Sequence, residues 1–368
     1  MIIPFLSSIG VIAFFFLSKK LFDEETAIYS VVLFSIIPMN IFWGSKILTD
    51  TLLVTWAILS CYFFWEAFFG NLKKYNAVLF GIFSAFGFLS RYSMIWFFII
   101  FFVSLLFKYK HLKFLYEKNL WISITSFFVL VGPWFVYNYF TYGSWLGFLV
   151  QANEASMRWG GRSFFLYFSY LFKNFWITLP LIFLGILKFR KKSANSFIFV
   201  FSWFFLLFVS LSLMAHKEER YFLILLPPIC LLTSFGILKL KKYKKLIFVS
   251  LVAFFIFMNF SPFLNWVYSY DSPEQTCFFE TMDFIQSSNA SYIVTEHFSP
   301  VYFYTFKPNI RVGNYSTIKL IIDFYYPNET IFYYYVEGDW FNLIEENKSL
   351  GDNLVFSCNT FKLFNISR

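Results

Sequence analysis

The sequence predicts a mainly helical, polytopic membrane protein of about ten spans, followed by a small extracytosolic α/β domain. Three observations carry that expectation. Of the 368 residues, 59% are hydrophobic and only 14% are charged. Up to Ser261 the apolar residues fall in runs of about 17 to 22, the length a helix needs to cross the hydrocarbon core. The polar recurrence every three or four positions that marks an amphipathic soluble helix is largely missing from them. After Ser261 the composition changes abruptly to mixed polarity, with short β-rich runs such as "SYIVTE", "IFYYYV" and "LVFSC" and an amphipathic stretch over 274–286.

Taken in order, the apolar runs place spans at 2–18, 26–44, 48–69, 76–90, 93–107, 120–139, 171–187, 196–214, 221–238 and 246–261. Four basic loops, "NLKKYN" at 71–76, "KYKHLK" at 108–113, "KFRKK" at 188–192 and "KLKKYKK" at 239–245, set the cytosolic side. An even number of spans separates each from the next, so the four assignments agree. The outward segments are then 44–48, the neighbourhood of Arg91, the loop 140–170, the "HKEER" segment at 216–220 and everything after 262. The formal charge of +9 resides in these loops, where anionic headgroups account for it and no nucleic-acid partner is needed.

The division into a membrane domain, 1–262, and an extracytosolic domain, 263–368, has independent support in sequons. Asn289, Asn314, Asn328, Asn347 and Asn365 each head an Asn-x-Ser/Thr triplet, which favours a glycosylated outer surface, although an asparagine-rich coding bias also produces such triplets. Cys277 and Cys358 bracket the domain and are candidates for a disulfide in an oxidising exterior. Cys61 and Cys230 lie inside apolar spans and read as small core residues. Neither a CxxC pair, a DxD motif nor a histidine cluster is present, so no metal is expected.

The densest chemistry is in "HKEERYFLILLPP", His216 to Pro228, where five ionisable side chains abut a membrane span. Such groups cost several kcal/mol unless paired or hydrated, which makes them candidates for function. A solvated interfacial loop is the plainer alternative. This motif resembles the late-loop motif of polyprenyl-phosphate-sugar-dependent membrane glycosyltransferases of the GT-C class, closest to the dolichyl-phosphomannose-dependent mannosyltransferases. Three further stretches resemble the protein-mannosyltransferase and aminoarabinose-transferase branch of that class: "LFDEETAIYSVVLFSIIPMNIFWGSKILTDTLL", "GIFSAFGFLSRYSMIWF" turning at Arg91, and "GPWFVYNYFTYGSWLGF" leading into the long outer loop.

The resemblance implies a hexosyltransferase, with mannose first in expectation, that takes its sugar from a polyprenyl-phosphate carrier and hands it to a glycan, protein or lipid hydroxyl. In that chemistry negative charge builds on the leaving phosphate, so cations aimed at it lower the barrier. Arg220 offers a planar fork for phosphate oxygens and Lys217 a point charge, with Tyr221 beside them. His216 is placed to donate a hydrogen bond or proton, and Glu218 to hold the cations. Asp50 is the carboxylate marked to deprotonate the acceptor, though an aspartate there serves equally as a helix N-cap. In the loop "QANEASMRWGGRSFF", Glu154, Arg158 and Arg162 beside a Gly-Gly hinge fit either a substrate loop, with Arg91, or a plain linker.

The family's first span and acidic outer loop would fall before Pro4, and loop parity puts Met1 outside. Both lead to the expectation of about 60 to 100 further residues upstream. A transporter or lipid flippase, which would carry ionisable groups at span centres and internal repeats, and a non-catalytic assembly subunit are the rival readings.

Overall fold

The structure, a computed structural model, describes residues 2–44, 49–110, 112–148, 150, 163–187, 194–214, 216–269, 273–289, 291–295, 309–311, 331–336, 354–358 and 361–365. The chain divides into two compact units, Met1–Asn259 and Phe260–Arg368.

The first unit is helical: α1 (Ile2–Leu21), α2 (Glu24–Ile36), α3 (Pro38–Gly44), α4 (Thr49–Phe68), α5 (Lys74–Ser90), α6 (Ile95–Tyr109), α7 (Lys118–Tyr142), α8 (Leu166–Phe175), α9 (Leu179–Leu187), α10 (Ala194–Leu213) and α11 (Leu226–Lys239). The helix α12 (Lys244–Ser269) runs on from there. The stretches expected to span are mainly helical among the described residues. Among the described residues five helices are long and apolar enough to cross a membrane, or up to seven if two bent pairs each count as one span.

The bends have local causes. Asp23 caps α2 by accepting the Thr26 N–H at 2.7 Å, and the helix stops at Ile37, whose ψ of 124° is the extended conformation that a following proline imposes. The chain resumes as α3 at 60° to α2, and Asn40 Nδ2 donates to the helix-end Phe34 carbonyl at 2.9 Å. A sharper turn of 97° separates α8 from α9. There Thr178 Oγ1 donates to the Phe175 carbonyl at 2.8 Å.

Helix α4 is central, packed against α1 and α5. Fully buried Phe64 on α4 packs against Phe80, Phe101 and Phe199 from three other helices, at centroid separations of 5.3, 4.5 and 5.8 Å. Elsewhere small residues let backbones touch. A Cβ on Gly236 of α11 would collide with the Leu181 carbonyl of α9, the close approach by which helices associate where no hydrophobic drive separates protein from lipid. One carboxylate is buried near the Phe68 end of α4: Glu66 pairs with Lys20 at 2.8 Å and accepts from Asn71 Nδ2 at 2.8 Å.

Among the described residues of the second unit, α13 (Pro273–Ser287) precedes five strands, β1 (Tyr292–Thr295), β2 (Asn309–Arg311), β3 (Ile331–Val336), β4 (Leu354–Cys358) and β5 (Phe361–Asn365). They form one sheet in the order β2-β1-β3-β5-β4. The first three are mutually parallel, while β5 runs antiparallel to β3 and β4. Asn289 is exposed just beyond α13, and Asn365 ends β5 opposite Phe332. Asn314, Asn328 and Asn347 lie outside the described residues. Cys277 is disulfide-bonded, whereas Cys61 and Cys230 are free and buried.

Candidate active site

Three chain segments converge at the Asp50 end of α4. The first turn of α4 supplies Asp50, only 4% exposed, where the positive helix terminus favours a carboxylate. The end of α5 supplies Arg91. That residue is extended, with φ −162° and ψ 122°, because α5 stops there and the chain turns into a 3-10 turn, Tyr92–Met94. The third segment leads from α10 into a 3-10 helix, Glu219–Leu225, and then α11. Pro227 and Pro228 sit in the first turn of α11, where the missing N–H groups leave no helix bond unmade. The Ile224 carbonyl at that junction accepts from Trp203 Nε1 at 3.1 Å.

Glu218 is the hub of the third segment. Its Oε1 accepts from Arg220 Nη2 at 2.8 Å, and its Oε2 lies 2.5 Å from Arg220 Nε as an ion contact. The same Oε1 lies 2.7 Å from His216 Nε2 and accepts the Tyr221 hydroxyl at 3.3 Å. Burial alone would raise the Glu218 pKa, but the hydrogen bonds from His216 and Arg220, with the charge of Arg220, outweigh it and hold the carboxyl below the ordinary glutamate value. The backbone is pinned as well, since the buried Tyr167 hydroxyl donates to the Glu218 carbonyl at 2.9 Å.

Asp50 joins the segments. Arg91 Nη1 donates to its Oδ1, and Arg220 Nε stands 3.6 Å from its Oδ2. The Arg91 guanidinium also lies over the Tyr221 ring, 4.2 Å from the centroid. Beside these groups opens a cavity of about 350 Å³ lined by Thr49, Asp50, Ser90, Arg91, Trp134 and Arg220 among others. It presents two guanidinium groups and one carboxylate within a single polar opening, an arrangement fitted to an anionic ligand that also carries hydroxyls.

The candidates named from sequence thus fare differently. Asp50, Arg91, His216, Glu218, Arg220 and Tyr221 come together. Lys217 is only 3% exposed and donates to the Met214 carbonyl at 2.5 Å, and burial pushes its pKa down. Glu154, Arg158 and Arg162 lie outside the described residues. Sequence reasoning missed Tyr167, whose role depends on a contact across the fold, and Trp134, which lies in the "GPWFVYNYF" stretch without standing out there as a site residue.

Comparison with known proteins agrees with this architecture. Residues 1–319 match the model of the Alg9-like mannosyltransferase family. No curated protein sequence matches the chain. The crystal structure of ArnT from Cupriavidus metallidurans bound to undecaprenyl phosphate superposes with a TM-score of 0.74 at 10% identity, over 98% of this chain and 82% of that one. The apo state of the same ArnT gives a TM-score of 0.73 at 10% identity, over 99% and 82%. At such identities the likeness is one of fold. The match over residues 1–319 decides the family: this chain belongs to the Alg9-like mannosyltransferase family and is a membrane glycosyltransferase of GT-C type.

Proposed function

We propose that the protein moves a hexose, mannose first, from a polyprenyl-phosphate carrier to an acceptor hydroxyl at the outer membrane face. The observation that carries this reading is the pair Arg91 and Arg220, both held by Asp50 at the rim of one cavity. Family membership supports a sugar transferase, and the fold is that of ArnT crystallised with undecaprenyl phosphate.

In this reading the donor phosphate enters between the two guanidinium groups. The bond between the sugar's anomeric carbon and the phosphate oxygen breaks as the acceptor oxygen bonds to that carbon. The electron pair of the broken bond leaves on the polyprenyl phosphate, where Arg220 and Arg91 meet the growing charge. The acceptor hydroxyl loses its proton to a carboxylate, and Asp50 is the one facing the cavity. Arg220 stands farther from Asp50 than from Glu218, so an arriving phosphate draws it away from Asp50 first and leaves Oδ2 open to the acceptor. His216 and Glu218 orient Arg220. Family membership sets the transporter reading aside.

The outer-face assignment rests on the four basic loops, and it puts the domain after residue 262 outside, with its sequons glycosylated and Cys277 bridged to Cys358. A panel of polyprenyl phosphates carrying mannose, glucose, galactose or aminoarabinose tests the sugar. Discharge of the mannosyl donor several-fold faster than the others is expected. Preference for another member of the panel would overturn the mannose assignment.

A further inference from the structure

A second cavity lies toward the opposite end of the same helices. It measures about 310 Å³ and is walled by α4 through α7, with Phe64, Phe80, Phe101, Leu105, Phe114 and Phe127 prominent in its lining. Gly81, also in the wall, lets α5 approach α7 so closely that a Cβ there would collide with the Ser123 carbonyl. The two hydroxyls in the lining are already bonded, Ser84 with Ser60 at 2.6 Å and Ser123 to the Asn119 carbonyl at 2.8 Å. The cavity therefore offers water few partners, and an apolar space of this kind stays dry or takes an apolar ligand. It has about twice the 150 Å³ that accommodates a benzene, which is room for on the order of ten carbon atoms. Two of its walls, at Phe102 and Phe128, are 45% and 53% exposed on helices that meet lipid.

The loop that floors this cavity is built for a membrane interface. Phe114, 2% exposed, plugs inward from a 3-10 helix, Leu112–Tyr116. On the same segment Leu112, Leu115 and Tyr116 are 53%, 42% and 90% exposed, and Trp121 nearby is 57% exposed. Exposed aliphatic and aromatic side chains at a span end are the signature of headgroup-level anchoring. Around them residues 108–118 carry four lysines against one glutamate, and Lys110, Lys113 and Lys118 are exposed. A basic rim over a dry hydrocarbon pocket is complementary to one kind of molecule, which carries an anionic head and an apolar chain.

We propose that this cavity and its basic rim form a binding site for one anionic phospholipid, with an acyl chain among the phenylalanines and the headgroup on Lys113 and Lys118. The site is separate from the cavity at Asp50 and stands whether or not a polyprenyl phosphate is the sugar donor.

The test is native mass spectrometry of the whole protein, delipidated and then offered an equal mixture of phosphatidylglycerol and phosphatidylethanolamine. One tightly held phosphatidylglycerol is expected in preference. Lys113→Gln and Lys118→Gln should each reduce that preference about fivefold, the attraction a surface lysine exerts on anionic lipid. Ile124→Trp, which fills the cavity from its lipid-facing wall, should lower retention of either lipid while thermal stability is kept. Equal retention of both lipids by the parent, or retention unchanged by all three substitutions, would overturn the proposal. So would displacement of phosphatidylglycerol by an equimolar polyprenyl phosphate.

Discussion

Asp50, in the first turn of α4, is ion-paired to Arg91, which ends α5, and this contact closes one side of the cavity proposed to take the donor phosphate. Asp50 is 6% exposed by side chain and Arg91 20%, so the pair is largely withdrawn from water. Removing one partner leaves the other's charge poorly compensated, which is costly even where the pair itself is nearly neutral for stability.

Asp50→Asn should therefore fail in two ways. Unfolding in detergent should come earlier, by about 1–3 kcal/mol, since both Arg91 and Arg220 lose their shared carboxylate. Transfer should fall by about a hundredfold or more if the carboxylate also takes the acceptor proton. Thermal unfolding followed alongside turnover separates the two losses.

Arg220→Lys keeps a charge but loses the planar guanidinium that meets both Glu218 and Asp50. A loss of about 1–3 kcal/mol, tenfold to a hundredfold in kcat/KM for the donor, is expected. Arg91→Lys should behave alike, with the added loss of the guanidinium packed over Tyr221. Steady-state kinetics at saturating acceptor reads both.

Glu218 carries a pH signature. Its pKa is held below the ordinary glutamate value by His216 and Arg220, so its contribution to stability is complete above about 4.3, the unfolded value, and is lost as pH falls through the lower folded value. The difference in thermal midpoint between the parent and Glu218→Gln should shrink as pH falls below about 4.3. A difference that shrank only on the alkaline side would show that the ionised carboxylate is not what holds the segment.

The cysteines give a chemical check. Non-reducing peptide mapping should recover Cys277 linked to Cys358, while Cys61 and Cys230, free and buried, alkylate only after denaturation. Recovery of Cys277 with any other partner would contradict the pairing.

Much of the helical unit was legible because the membrane imposes a length on each apolar run and stretches such as 48–69 and 196–214 satisfy it plainly. The bends were less legible. Pro38 announces the break after α2 and Pro180 in "FKNFWITLP" marks a helix start, but neither signals a turn as sharp as 97°, which Thr178 and its helix-end carbonyl partner accommodate. At the site, sequence showed that Asp50, Arg91 and Arg220 sit at span ends. It could not show that they meet, because the contact is set by how α4, α5 and the segment before α11 pack. Tyr167, which anchors Glu218 from 51 positions away, has no local mark at all.

Arg91 and Arg220 are proposed to receive the phosphate of a polyprenyl-linked sugar. The most direct test of that role is single-turnover discharge of radiolabelled polyprenyl-phosphate mannose by the purified protein in nanodiscs, comparing the parent with Arg91→Ala and Arg220→Ala. The parent should release polyprenyl phosphate, and either variant, verified as folded, should release it about a hundredfold more slowly or worse. Equal discharge by all three, or no discharge of any polyprenyl-phosphate hexose by the parent, would contradict that role.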